Sequence, residues 1–309
     1  MKLITFLLPS GEEKAGWISQ NEFAVDMHEV SSKGLPESII DLVAKWSYFK
    51  PMFSQYENIS PDLPGVYNLD QVQLLAPIPK PVSIRDFYAF EDHVKTARAN
   101  RGLEIVEEWY KFPVFYFTNH LAVKGPNDFI PIPKGCKALD YELEIACVIG
   151  KEGRNISVQN AEQHILGFCI MNDWSARDFQ KEEMKVGLGP AKGKDFATSF
   201  GPFIATVDEL TEFKKDQHYR LNMAAYVNGK HLSNGNTEDL YYTFSEMIER
   251  ASAGVTLYPG EVIGSGTVGT GCILELGTEV QDWLKKGDEV ALSIDGLGTL
   301  VNIIGEEGG

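Results

Sequence analysis

The chain has 309 residues, room for about two domains, and its 28 Lys and Arg against 44 Asp and Glu leave a formal net charge of −16. An apolar share of 43% can build a core, while the negative balance excludes sequence-independent nucleic-acid binding, which needs cations to neutralise phosphates. No apolar run reaches the about 18 residues of a membrane span, and four scattered cysteines without a CxxC pair fit neither a zinc ribbon nor a disulfide framework, so a reducing, cytoplasmic setting is expected.

Residues 3–8 predict a strand that runs into the Pro9-Ser10-Gly11 turn, too short for a signal peptide. A helix is predicted from Pro36 to about residue 46, with proline at its first position. Pro77, Pro79 and Pro81 then enforce an extended link. That link divides a small module, 1–75, from a larger domain, 76–309. Beyond it we expect a helix over 84–98, a strand over 140–149, and a strand at 165–171 feeding a helix at 175–184. A hairpin at Asn228-Gly229, a helix over 238–251, a strand over 271–276 and a hairpin at Asp295-Gly296 follow. The strand–helix alternation of a doubly wound sheet is missing, so the fold class is mainly β, α+β.

Familiar motifs fail on context. Gly264-x-Gly266-x-x-Gly269 has the letters of a dinucleotide fingerprint but leads into a predicted strand, where the pyrophosphate needs a helix N-terminus. Gly193-Lys194 is followed by Asp195, not the Ser or Thr of a phosphate loop. No GxSxG or HExxH occurs.

The acids carry more information. On the predicted strand 140–149, Tyr141, Leu143, Ile145, Cys147 and Ile149 share one face, and Asp140, Glu142 and Glu144 the other. Same-face neighbours lie about 6.6–6.8 Å apart, close enough to converge on a cation; the plain alternative is a half-exposed strand with its acids in water. In 172–180, Asn172, Asp173 or Ser175 could cap a helix. Asp173 near that cap would share a face with Arg177 and Gln180, either as a site or as an ordinary i,i+4 ion pair. Asp86 and His93, seven apart, would share a face of the 84–98 helix at about 10 Å.

Taken in order, Asp86-Phe87-Tyr88…His93, Asp140-x-Glu142-x-Glu144, Met171-Asn172-Asp173-Trp174-Ser175-Ala176-Arg177-Asp178-x-Gln180, Gly193-Lys194 and Ser265-Gly266-Thr267 resemble the fumarylacetoacetate hydrolase family over residues 77–309. The resemblance implies a mixed β-roll catalytic domain with a small SH3-like N-terminal domain. It implies a divalent metal, Mg²⁺ or Ca²⁺, held by Asp86, Glu142, Glu144 and Asp173 with Lys194 and Thr198 beside it; oxygen donors suit such hard cations. His93 would be the general base, oriented by Glu275. Lys194, Gln180 and Arg177 would stabilise an oxyanion, and Tyr88, Tyr116, Gln180 and Thr267 would contact substrate.

The implied reaction is hydrolysis of a carbon–carbon bond in a small anionic β-diketo acid. The substrate would be fumarylacetoacetate, cleaved to fumarate and acetoacetate in aromatic amino-acid catabolism, or a close acylpyruvate, and the enzyme a homodimer. Two positions depart from the family pattern: Met184 replaces a tyrosine four residues after Gln180, and Gly102 stands where an arginine is expected, with Arg101 one residue off. A 2-keto acid decarboxylase, tautomerase or hydratase is the rival on the same fold, against which the retained His93 and Glu275 argue. A non-enzymatic cation-binding domain is the rival of another class.

Overall fold

The computed structural model describes residues 1–100, 102–215 and 218–306; Arg101 lies outside the described residues. Two sheets organise it. The larger has twelve strands, ten of them in the order Val66–Asn68, Phe23–Asp26, Glu13–Ser19, Lys2–Leu7, Thr198–Thr206, Ile165–Asp173, Leu143–Ile149, Val262–Gly264, Ile84–Phe87, Phe115–Phe117. The smaller has five, in the order Lys230–Asn236, Asn222–Val227, Glu289–Ile294, Gly298–Ile304, Phe129–Ile130. Strands of residues 1–75 continue the larger sheet, Leu3 pairing with Ile204.

Alternation along Leu143–Ile149 explains how the core is divided. Leu143, Ile145, Cys147 and Ile149 enter one apolar cluster with Phe168, Met223, Ala225, Leu292 and Leu300, shared by the two sheets. Ala146 and Val148 enter a second with Leu3, Trp17, Leu42, Met171 and Val262, roofed by the N-terminal residues. Both faces are covered, so the whole strand is buried. The half-exposed alternative is thereby excluded for Glu142 and Glu144, which are 4% and 0% exposed.

Both hairpins form. At the first, Asn228 and Gly229 take φ of +51° and +75°, the doubly positive pattern of a tight two-residue turn; the second loops through Asp295, Gly296 and a buried Leu297. The helices Arg177–Val186 and Phe244–Ser252 lie close to expectation, the first ending at left-handed Gly187 and the second opened by a Thr243–Glu246 capping box. Residues 237–239 form a separate 3-10 turn rather than the start of that helix. The 36–46 helix divides at Lys45 into Ile39–Ala44 and Trp46–Phe49.

Three expectations are corrected. Residues 84–98 are not one helix: Ile84–Phe87 is a strand, parallel to Val262–Gly264 and antiparallel to Phe115–Phe117, and the helix is Glu91–Ala99. Sheet pairing overrides the local helical spacing, so Asp86 and His93 do not share a helix face. Asp173 caps no helix but ends the strand Ile165–Asp173. Residues 271–276 form a helical turn, Ile273–Leu276, whose first amides bond to the Asp140 carboxylate. The dinucleotide reading of the neighbouring glycines fails because that helix end is already occupied. Among the described residues, no helix is long and apolar enough to cross a membrane.

Candidate functional site

Asp86, Glu144 and Asp173 converge from three strands, and their carboxylate oxygens lie within 4.8 Å of one another. The convergence follows from register. Each acid continues the face that, two residues away, carries Ile84, Ala146 or Met171 in the cluster beneath the N-terminal strands. Gly264, between Ala146 and Asp86 in the sheet, leaves the room; a Cβ there would come 2.6 Å from Asp86 Oδ1 and 2.8 Å from Met171 Sδ.

Two buried cations stand beside the acids. Lys194 Nζ donates to Asp173 Oδ2 at 2.6 Å and to Glu142 Oε2. Arg177 donates from Nε to Asp140 Oδ2 and from Nη2 to Glu142 Oε1, both at 2.8 Å, and from Nη1 to Gln180 Oε1 at 3.0 Å. Tyr116 donates its hydroxyl to Asp173, and Thr267 Oγ1 donates to Glu144 Oε1 at 3.4 Å.

Charge and burial leave the cluster short of positive charge. Five buried carboxyls (Asp86, Asp140, Glu142, Glu144, Asp173) face the two cations, leaving three uncompensated if all ionise. Burial first, and neighbouring carboxylates next, push Asp86 and Glu144 well above the usual carboxylate range. Burial also raises Asp173, opposed by Lys194. For Glu142 burial acts upward too, but Lys194 and Arg177 outweigh it and hold the acid below its ordinary value. Burial would lower Lys194, yet Asp173 and Glu142 keep it above the normal lysine range, a firm ammonium.

A divalent cation fits this donor set. Glu144 Oε2, Asp173 Oδ1 and Thr198 Oγ1 are buried without a hydrogen-bond partner, the state expected of oxygens built to face an ion. Lys194, as an ammonium, has no lone pair to coordinate with and serves as a counter-charge instead.

His93 sits on the helix Glu91–Ala99, buried, with Nδ1 bonded to Glu275 Oε1. Glu275 is itself fixed, its Oε2 accepting from the Thr270 amide at 3.0 Å. Cys272 Sγ reaches the same Oε1 at 3.6 Å, and burial with the Asp140 charge pushes its thiol well up. The Tyr88 ring stands edge-on to His93 at 5.3 Å.

The fold thus brings Asp86, Glu144, Asp173, Thr198, Lys194, Tyr116 and Thr267 together, and separately pairs His93 with Glu275. Glu142 adjoins the acid cluster with both oxygens engaged by Lys194 and Arg177. Arg177 bonds to Asp140 and Glu142, not to Asp173. Among the described residues, neither cation is left over to neutralise a dianionic substrate. Met184 is 41% exposed at the far end of the Arg177–Val186 helix, and Gly102 is described with φ +70°. Sequence reasoning missed Asp140, whose carboxylate ties Arg177 to the turn bearing Glu275, although the Asp-x-Glu-x-Glu spacing contained it. It also missed Gly264, which no local signal separates from other glycines.

The sequence profile of the fumarylacetoacetate (FAA) hydrolase C-terminal domain matches residues 83–304. An oxaloacetate tautomerase of Bacillus subtilis, YisK, is 30% identical over 302 residues, covering 94% of this chain and 95% of its own. The fumarylacetoacetate hydrolase structure from Exiguobacterium antarcticum superposes with a TM-score of 0.74 at 27% identity, covering 99% of both chains. The maleylpyruvate hydrolase of Sphingobium sp. SYK-6, solved with manganese(II) and pyruvate, shares the fold with a TM-score of 0.72 at 24% identity over 99% of each chain.

Proposed function

The chain belongs to the fumarylacetoacetate hydrolase family, and from that premise we propose a divalent-metal enzyme that cleaves the carbon–carbon bond of a small β-diketo acid, fumarylacetoacetate or an acylpyruvate. The observation that carries the reading is a buried acid–base pair, His93–Glu275, in the same molecule as three convergent carboxylates with unpartnered oxygens. Asp86, Glu144 and Asp173, with Glu142 beside them, would hold Mg²⁺, Ca²⁺ or Mn²⁺, all suited to oxygen donors. Such an ion, when bound, supplies Lewis acidity toward a 1,3-dicarbonyl and its enolate.

The protein's own groups account for the proton transfers. Glu275 accepts from Nδ1 and so leaves Nε2 free to take a proton from water. The hydroxide adds to the distal carbonyl carbon, the C–C bond breaks with its electron pair moving onto the departing enol oxygen, and the proton returns to carbon. Arg177 occupies the amide oxygen of Gln180, which leaves the amide nitrogen as the donor toward an oxyanion. Lys194 and Arg177 act by holding Glu142 and Asp173 in place. We read residues 1–75 as an SH3-like accessory domain and the assembly as a homodimer, which light scattering tests: a monomeric mass at micromolar concentration refutes it.

One observation favours a second reading on the same site. A relative from Bacillus subtilis matched over 94% of this chain is a tautomerase, and His93–Glu275, which the sequence set against that reaction, would serve equally to move a proton between carbon and solvent without cleavage. Chelator-treated protein reloaded with Mg²⁺ and given fumarylacetoacetate, acylpyruvates and oxaloacetate decides between them. Hydrolysis yields two acids, resolved chromatographically; tautomerisation changes the enol absorbance with the carbon skeleton intact. No metal-dependent change with any of these substrates would refute both.

A further inference from the structure

Glu275 has a third neighbour. Ligand atoms of His93, Cys272 and Glu275 all lie within 4.8 Å of one another, a nitrogen, a sulfur and an oxygen at one point, distinct from the all-oxygen cluster of Asp86, Glu144 and Asp173. Imidazole and thiolate are borderline-to-soft donors that favour Zn²⁺ or Co²⁺ over Mg²⁺ or Ca²⁺. Geometry supports the same choice: the triad is buried on an anchored carboxylate, its Oε2 bound to the Thr270 amide and its Oε1 shared by His93 and Cys272. Three protein ligands is the count of a catalytic-type zinc site, where a closed structural site has four.

We propose that His93, Cys272 and Glu275 form a second metal site, selective for zinc-like ions, whose occupancy silences the acid–base pair. Binding costs one proton: the Cys272 thiol loses its hydrogen, while the hydrogen on Nδ1 of His93 moves to Nε2 so that Nδ1 can coordinate. The ring nitrogen that would accept from water then carries a hydrogen, and the hydrogen bond to Glu275 is replaced by the ion. The oxygen cluster keeps its own hard cation throughout, so the two sites sort metals by donor softness. The silencing, though not the binding, rests on the acid–base role given to His93 above.

Co²⁺ added to Mg²⁺-saturated protein provides a readout independent of turnover, because cobalt bonded to thiolate gives a sulfur-to-metal charge-transfer band in the near ultraviolet. We expect that band in the wild type and its loss in Cys272→Ser, which keeps a hydroxyl donor toward Glu275. Zn²⁺ should inhibit the wild type at concentrations at least about tenfold below those needed for Cys272→Ser, and excess Mg²⁺ should not relieve it. Absence of the band, its persistence in Cys272→Ser, or relief of inhibition by Mg²⁺ in the unmodified protein would each overturn the site; the last needs no variant to fold. A band with unchanged turnover would uphold the metal site and refute instead the acid–base role of His93.

Discussion

Removing the divalent ion should make stability fall as pH rises, in a protein whose net charge would lead one to expect only a weak trend. Without metal, burial first and neighbouring carboxylates next (Asp173 for Asp86, Asp86 for Glu144) raise both acids, so at least one proton is retained where the unfolded chain has lost it. Unfolded carboxyls titrate near about 4. From there up to the raised folded values the native state binds more protons than the unfolded one, so the free energy of unfolding declines with pH. The slope is about 1.4 kcal/mol per pH unit for one retained proton and about 2.7 kcal/mol for two. At about 2–4 °C per kcal/mol, the range for chains of about 150–250 residues and an upper bound for this longer one, the melting temperature should drop by up to about 3–11 °C per unit.

Saturating Mg²⁺ expels those protons, so the gain from metal must widen with pH and add about 2.7 kcal/mol when the ion is present at about 100 times its dissociation constant. Paired thermal melts in chelator and in Mg²⁺, from about pH 5.5 to about pH 8, isolate this pair, because other titrating groups cancel in the difference. A difference that stays constant or narrows with rising pH would refute the reasoning, as would no stabilisation by any hard divalent ion.

His93→Ala should lower turnover about 10²–10⁴-fold, the range for loss of a general base, with Mg²⁺ affinity by calorimetry unchanged; weakened metal binding would show that the histidine belongs to the metal site. Lys194→Met removes the ammonium between Glu142 and Asp173 and should cost about 3–5 kcal/mol in chelator by leaving buried charge unpaired. Mg²⁺ should recover part of that loss in urea titrations, and wild-type stability in chelator would count against the ion-pair account. Gly264→Ala places a methyl 2.6 Å from Asp86 Oδ1 and should destabilise by about 1–3 kcal/mol while weakening Mg²⁺ binding; an unaltered calorimetric titration would show that the cluster does not depend on that gap.

How much of this was legible in the sequence depended on whether the deciding contact was local. Asn228-Gly229 needs only its own backbone preference, and it formed where expected. The acid face was legible at Glu144, where period-two alternation holds in the strand Leu143–Ile149; the expected strand 140–149 breaks at Tyr141 and Glu142, and Asp140 pairs with Ser175 in a separate two-stranded sheet. Ile84–Phe87 was misread as helix because the strands that pair with it, 115–117 and 262–264, lie about 30 and about 180 residues away in the chain. The same distance hid the role of Asp140, whose partners Arg177, Ile273 and Leu274 meet it only in three dimensions. The resemblance supplied Lys194 as a neighbour of the metal, and the structure altered its office: its ammonium is committed to Glu142 and Asp173.

The pairing of Leu3 with Ile204 has a consequence for how the protein is made. Residues 2–7 leave the ribosome about 190 residues ahead of the strand that completes their edge, which at about 5–20 residues per second is roughly 10–40 s. During that interval the hairpin of Lys2–Leu7 and Glu13–Ser19 can close and Gln73–Leu74 can pair with Phe6 and Leu7, but the rest of that edge, at Lys2 and Leu3, stays unpaired and Ile4 lacks the core that buries it. An open apolar strand edge recruits other chains. Nascent-chain yield should therefore be more sensitive to synthesis rate and to holding chaperones than the stability of the finished molecule would indicate. Slower translation between residues 20 and 200 lengthens the exposure, whereas cooling the finished protein would not.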